Sequence, residues 1–305
     1  MRYRALDTNL LVMLDLLLET RSITRTAEIL GLTQPAVSAG LGRLRDHFSD
    51  ELLVQVGRVN VATPLAERLR APLTDVLART DALITQRASF DPAKDMRAFS
   101  FLGSDYVATT FGGEILRDVA MAGPHLSAHL EMLGMQTIDD FERGKIDVVI
   151  LPRQLAYADH PTAELFEERF VCAIWDQHPE IGDTISEAQY LAARHAVHPS
   201  GQGGRRLPIL DQWFLKQSAI VRDVAIQVPS FAQVLPVLPG TPYVATIQRR
   251  LAEKLARQLP IRILPAPFDF PVLPIVMQWH RYLDQDEGVR WFRAKVIETV
   301  ARLGL

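Results

Sequence analysis

The sequence predicts an α/β protein in three parts: an N-terminal all-α winged helix-turn-helix, a long linker helix, and a C-terminal α/β region. Three observations lead there. Residues 22–48 hold two short segments of helical apolar spacing, closed by a glycine and reopened by a proline. Residues 65–83 repeat apolar side chains at alternating spacings of four and three. From Arg97 onward, short apolar runs alternate with helical stretches, the order of an α/β unit.

At 305 residues and 48% hydrophobic, the chain can bury a large core and is expected to form more than one domain. A net charge of −3 excludes neither DNA nor small anions, because only the local field at a binding face matters. No lysine precedes Lys94, and residues 1–90 hold eleven arginines against ten acids, so a DNA-binding face must come from placement. The lone cysteine, Cys172 in EERFVCAIW, cannot close an internal disulfide and reads as a small buried hydrophobe in a reducing compartment. The early run LLVMLDLLLET is broken by Asp15 and lacks a small-residue cleavage site, so it is expected to be a helix rather than a leader. No run reaches the ~20 apolar residues of a membrane span. A cytoplasmic protein with no membrane partner is expected.

Ser22 can cap a helix on which Ile23, Ala27 and Leu30 share one face, and Gly31 stands where a left-handed C-cap is needed. Thr33 can cap the next helix, with Pro35 in its first turn, where a missing N–H costs little. Val37, Leu41, Leu44 and Phe48 then form an apolar stripe. A small residue, a turn glycine and a packing contact at these spacings are what two closely crossing helices require. The outer face of the second helix presents Gln34, Pro35, Ser38, Ala39, Gly42 and Arg43, with Arg45 at its edge. Gln34 and Ser38 can bond phosphates or base edges, while Ala39 and Gly42 allow close approach to a groove. Ser22, Thr24, Arg25 and Thr33 complete the expected DNA-binding set.

Leu53–Val56 and Val59–Ala62 are strand-like around a Gly57-Arg58 turn, a wing whose tip would bring Arg58 to phosphate. Thr63 can cap a long helix with Pro64 at its first position. Its stripe of Leu65, Leu69, Leu73, Val76 and Leu83 is expected to pair with a second copy of the chain, and Pro72 to bend it.

SITRTAEILGLTQPAVSAGLGRLRDHF, the wing and the helix after it resemble the N-terminal domain of LysR-type transcriptional regulators, above all at Gln34-Pro35-x-x-Ser38 and Thr63-Pro64. Thr26-Ala27 departs from the family's commoner paired alanines, and Gly40 and Gly42 from its larger residues. The resemblance implies an operator-binding dimer or tetramer, with RNA polymerase a candidate partner. It also implies a C-terminal region similar to periplasmic solute-binding proteins: two α/β subdomains with a ligand cleft between them. Projected here, the DNA-binding domain is 1–63, the linker 64–90 and the effector domain 91–305. The first subdomain then takes about 97–168 and 268–305, and the second about 169–267.

Ligands of open α/β sheets bind beyond the C-terminal ends of strands, often at helix N-termini. That rule selects Ser104, Asp105 and Tyr106 after the first strand, Ser200 and Gly201 after AVH, and Ser230 and Phe231 after VRDVAIQV. Each serine reads equally well as a plain N-cap. Leu6-Asp7-x-Asn9-Leu10-Leu11, Trp279-His280, Asp284 and Trp291 further resemble the nodulation and aromatic-catabolism branch of the family, which implies an aromatic effector. Phe231 and Trp279 would supply its apolar wall and the helix N-termini a preference for negative charge. His280 alone reads as a structural histidine.

An enzyme would need a constellation the chain lacks. HPSGQGG fits neither a P-loop nor GxGxxG, and no GxSxG, HExxH or CxxC occurs. His125/His129 and His195/His198 have metal-like spacing without a third ligand nearby. A transport-type binding protein would share the C-terminal fold but not the helix-turn-helix. The expectation is a regulator with no metal or cofactor, controlled by a small-molecule co-inducer.

Overall fold

The computed structural model describes residues 7–57, 59–85, 89–198 and 222–305. Arg58, Ser200 and Gly201 lie outside the described residues. The chain forms two compact units, Met1–Gln86 with Glu142–Lys145, and Arg87–Phe141 with Ile146–Leu305.

The first unit runs α1 (Thr8–Thr20), α2 (Ile23–Leu30), α3 (Gln34–Phe48), β1 (Leu53–Val56), β2 (Val59–Ala62) and α4 (Pro64–Thr85). Its local signals act as the sequence implies. Ser22 accepts from the Arg25 N–H at 3.3 Å and Thr33 from that of Ala36 at 3.4 Å. Gly31 takes the left-handed conformation at φ 63°, and its N–H reaches the carbonyls of Ala27 and Glu28. Leu10, Leu14 and Leu17 of α1 pack on Ala27 of α2 and on Val37, Leu41 and Leu44 of α3. Thr26 stands in this packed crossing with its hydroxyl 2.8 Å from that of Thr20, so the buried polar atom is satisfied.

Helix α4 continues through Pro72. The expected dimer stripe divides along it. Leu73 is 6% exposed and, with Leu69, packs into the core of its own domain, whereas Val76 is 45% and Leu83 73% exposed. Leu69 and Leu73 are thus corrected from pairing to core residues. Ile84, unremarked in the sequence, is 75% exposed beside Leu83.

The second unit holds two five-stranded sheets. One is built from β3 (Arg97–Gly103), β4 (Leu126–Met132), β5 (Val148–Pro152), β6 (Thr162–Glu168) and β12 (Leu273–Gln278), in the order β4-β3-β5-β12-β6. The other contains β7 (Phe170–Trp175), β8 (Arg194–Val197), β9 (Asp223–Gln227), β10 (Tyr243–Gln248) and β11 (Ile261–Leu264), in the order β11-β7-β10-β8-β9. The chain passes between them at Arg169 and returns between Leu264 and Leu273. The sheets are mixed rather than largely parallel. β12 runs antiparallel to β5 and β6, and β7 to β10 and β11, because these strands carry the chain across and back.

Between the strands run α5 (Asp105–Val107), a π-turn (Ala108–Gly112), α6 (Gly113–Ala120), α7 (Met135–Glu142), α8 (Glu187–Ala192), α9 (Arg249–Leu255) and α10 (Glu287–Arg302). Phe99, Phe101 and Met277 pack against Phe292 of α10 in the largest core. Arg97 clamps β3 to α10 by bonding Asp286 at 2.7 Å and Asp147 at 3.3 Å. Burial pushes the Asp147 carboxyl upward, against the pull of the Ser100 N–H and of Arg97. Cys172 is fully buried, and desolvation raises its thiol to about 12, so it stays protonated.

Candidate functional site

In the first unit the exposed face of α3 is the candidate nucleic-acid interface. Val37, Leu41 and Leu44 turn inward, and Gln34, Pro35, Ser38, Ala39 and Arg43 are all exposed on the opposite side. Among the described residues, the side chains of Gln34, Ser38 and Arg43 make no hydrogen bond or ion pair, so the fold does not use them. Thr24 and Arg25 are exposed on α2. Ser22 and Thr33 are engaged as caps. Arg45 is held elsewhere: its guanidinium donates to the carbonyls of Glu51 and Leu53, each at 2.9 Å, and roots the hairpin.

The hairpin pairs Leu53 with Ala62 and Val56 with Val59, and Gly57 adopts φ 65° at its tip. Asn60 ties it to the end of α1 by donating to the Arg21 carbonyl at 2.9 Å. Asp50, unnoticed in the sequence, accepts from the Leu52 N–H at 2.7 Å and the Thr63 hydroxyl at 2.6 Å. The Thr63 hydroxyl first, and then the Leu52 N–H, hold the Asp50 carboxyl below the ordinary range. A carboxylate in a short polar turn has no periodic signature, which is why sequence reasoning passes over it.

In the second unit, Ser104 directly follows β3, and Ser230 lies three residues beyond the end of β9. Ser104 and Ser230 start the following helical turns without side-chain capping bonds, so their hydroxyls are not consumed locally. The two segments meet: the Asp105 carboxylate accepts from the Ala232 N–H at 2.8 Å. The Phe231 ring lies 4.5 Å from that of His198, centroid to centroid. His198 Nδ1 is 3.1 Å from the Val228 carbonyl, which can only accept, so that nitrogen carries a proton. His198 belongs with Ser104, Asp105, Ser230 and Phe231, a grouping invisible until the strands are aligned.

Two expected effector contacts are used by the fold. Tyr106 is buried against Phe111 and donates its hydroxyl to Glu168. Burial and then the neighbouring carboxylate push the Tyr106 phenol upward, so it stays protonated. Trp279 is buried, donates its indole N–H to Asp284 at 2.9 Å, and is covered by the Arg293 guanidinium 3.9 Å from its ring centroid. It is corrected from a ligand wall to part of the packing against α10. His280 is buried, its ring 4.5 Å from that of His160, as a structural histidine should be.

Glu168 is the hub that sequence reasoning missed. It is fully buried where β6 passes into β7, and receives the Tyr106 hydroxyl, the Arg169 N–H at 2.8 Å and the Arg250 guanidinium at 3.3 Å. Arg250 also lies over the Phe166 ring. In sequence, Glu168 is one of two adjacent glutamates bordering an apolar run, with nothing to mark which turns inward.

Residues 8–67 match the model of the bacterial regulatory helix-turn-helix protein, lysR family, and residues 98–301 match the LysR substrate binding domain. Nodulation protein D 2 from Rhizobium leguminosarum bv. phaseoli is 34% identical over 303 residues, covering 99% of this chain and 95% of that protein. Nodulation protein D 1 from Rhizobium tropici is 33% identical over 305 residues, covering 100% and 98%. A solved structure of a probable transcriptional regulator from Pseudomonas aeruginosa matches with a TM-score of 0.63 at 26% identity, over 96% of this chain and 97% of that one.

Proposed function

The chain belongs to the LysR family of bacterial regulatory helix-turn-helix proteins, and from that premise we propose how it acts as a DNA-binding transcriptional regulator with an effector-binding domain. Helix α3 enters the major groove. Gln34, Ser38 and Arg43 bond phosphates and base edges, while Pro35, Ala39 and Gly42 let the helix seat deeply. Thr24 and Arg25 approach the flanking backbone, and the wing reaches it through Arg58. The observation carrying this reading is that α3 buries one face in its own core and leaves the polar side chains of the other unused. Gel-shift titration on duplexes selected from random DNA by the wild-type chain tests it. Ser38→Ala and Arg43→Ala should each cost about 1–3 kcal/mol of binding, and Arg43→Ala should lower the salt slope by about 1. Undiminished affinity in both variants would refute the assignment.

Residues 1–63 serve as the DNA-binding domain, 64–90 as the linker and dimerisation helix, and 91–305 as the effector domain of a cytoplasmic regulator. The exchange of the chain between two sheets supports subdomains of about 97–168 with 268–305, and 169–267. Between them we place a small aromatic carboxylate or phenol. The Ala232 N–H supports the negative charge: it already donates to the Asp105 carboxylate, and a ligand carboxylate would compete with Asp105 for the same donor. Phe231 and His198 supply ring faces, and Ser104, Ser230, Ser200 and Gly201 the polar contacts. Calorimetry of the full chain should find micromolar binding of hydroxybenzoates over aliphatic acids. Asp105→Ala should tighten it about tenfold, or 1.4 kcal/mol, by removing the internal competitor. Binding of aliphatic acids only, or no gain in Asp105→Ala, would reject this pocket.

A further inference from the structure

The corner between α3 and α4 is held by its backbone conformation and by a set of hydrogen bonds. Ser49 and Leu52 hold φ of 51° and 59°, two of the three non-glycine residues with positive φ among the described residues. L-residues keep that conformation only where their surroundings enforce it. One carboxylate is central to the enforcement. Asp50 accepts from the Leu52 N–H at 2.7 Å and from the Thr63 hydroxyl at 2.6 Å. The same Thr63 oxygen accepts from the Ala66 N–H at 3.1 Å, capping α4, and the Thr63 N–H donates to the Leu52 carbonyl at 3.0 Å. From the recognition helix, Arg45 grips the carbonyls of Glu51 and Leu53 on either side of Leu52. The exit of α3, the root of the hairpin and the first turn of α4 therefore meet at Asp50.

We propose that Asp50 is a positioning residue that fixes the direction of α4 relative to α3, and thereby the separation of DNA half-sites that a dimer accepts. The inference rests on the reading of α4 as the dimerisation helix. The lever is long. Twenty-two helical residues span about 33 Å, so a 10° change at the first turn moves the far end by about 6 Å. That displacement approaches two base-pair steps of about 3.4 Å.

The test uses the full chain with Asp50→Ala and Asp50→Asn. Asparagine retains an oxygen that can accept from both Leu52 and Thr63 while removing the negative charge, so it separates geometry from electrostatics. The probes are a palindromic duplex selected by the wild-type chain from random DNA, the same duplex with its half-sites one base pair nearer or farther apart, and a single half-site. Asp50→Ala should bind the single half-site within about twofold of wild type, yet lose at least tenfold of the wild-type preference for the selected spacing. Asp50→Asn should keep that preference. An Asp50→Ala chain that retains it overturns the proposal. So does one that loses half-site and full-site binding equally with a lowered Tm, since the carboxylate would then serve folding alone. Sedimentation of Leu83→Asp tests the premise separately: a chain that stays dimeric refutes the α4 reading whatever Asp50 does.

Discussion

A Cβ on Gly40 would lie 2.3 Å from the Met13 sulfur of α1, whereas one on Gly42 would meet nothing within 4 Å. The two glycines of α3 therefore face opposite ways. Gly40→Ala should overpack the α1–α3 crossing and destabilise the domain by about 1–3 kcal/mol. Gly42→Ala should stabilise α3 by about 1 kcal/mol, as alanine does in a helix interior, while weakening DNA binding. Thermal melts paired with gel shifts distinguish the two, and equal melting shifts would contradict the assigned faces. His195 is the residue whose burial has a pH signature. It is fully buried, with Nε2 3.0 Å from the Tyr190 carbonyl, and desolvation lowers its pKa from 6.5 to about 4. Between those values the unfolded chain binds a proton that the folded chain does not. Stability contributed by the neutral ring is therefore complete above 6.5 and is lost as pH falls towards 4, by up to about 3 kcal/mol. Urea midpoints at pH 7 and 4.5 should differ in wild type, and much less in His195→Leu.

At the scale of elements, α4 shows how one stripe serves two purposes. Its N-terminal half must close the core of its own domain, because three short helices cannot cover all of their apolar surface. Its C-terminal half extends past that core and leaves Val76, Leu83 and Ile84 exposed. Leu73→Asp should therefore unfold the domain outright by burying an unpaired charge. Leu83→Asp should keep the melting temperature and lower only the sedimentation coefficient. A periodic stripe reports that a helix has an apolar face, but not what covers that face. The wing has the same ambiguity: Val54, Val56, Val59 and Val61 satisfy a strand pattern, yet all four are exposed.

At the scale of the effector domain, Glu168 joins the places where the chain changes sheets. It binds Tyr106 from the first sheet's side and Arg250 from the second. Removing one member of a buried pair costs about 3–5 kcal/mol, because the other charge is left without its partner. Glu168→Ala should lower Tm by roughly 6–20 °C. A change below 2 °C would show that water replaces the carboxylate at no cost and that the junction is not held there.

Most of what the sequence determined by itself is local. The Gly31 turn, the Ser22, Thr33 and Thr63 caps and the apolar spacing of α2 and α3 are set by neighbours within a few residues, and those residues are adjacent in the chain. Alternating strands and helices likewise announced an α/β region. Tertiary structure alone decided which of several chemically equivalent residues were already engaged. Arg43 and Arg45 read alike, yet only Arg45 lies within reach of the hairpin carbonyls. Tyr106 and Phe231 both follow strand ends, yet Tyr106 meets a glutamate 62 positions away. Trp279 could have faced a ligand until Arg293 and Asp284 closed over it. A hydrogen bond or ring contact depends on distances of a few ångströms between atoms far apart in sequence, and periodicity carries no information about those distances.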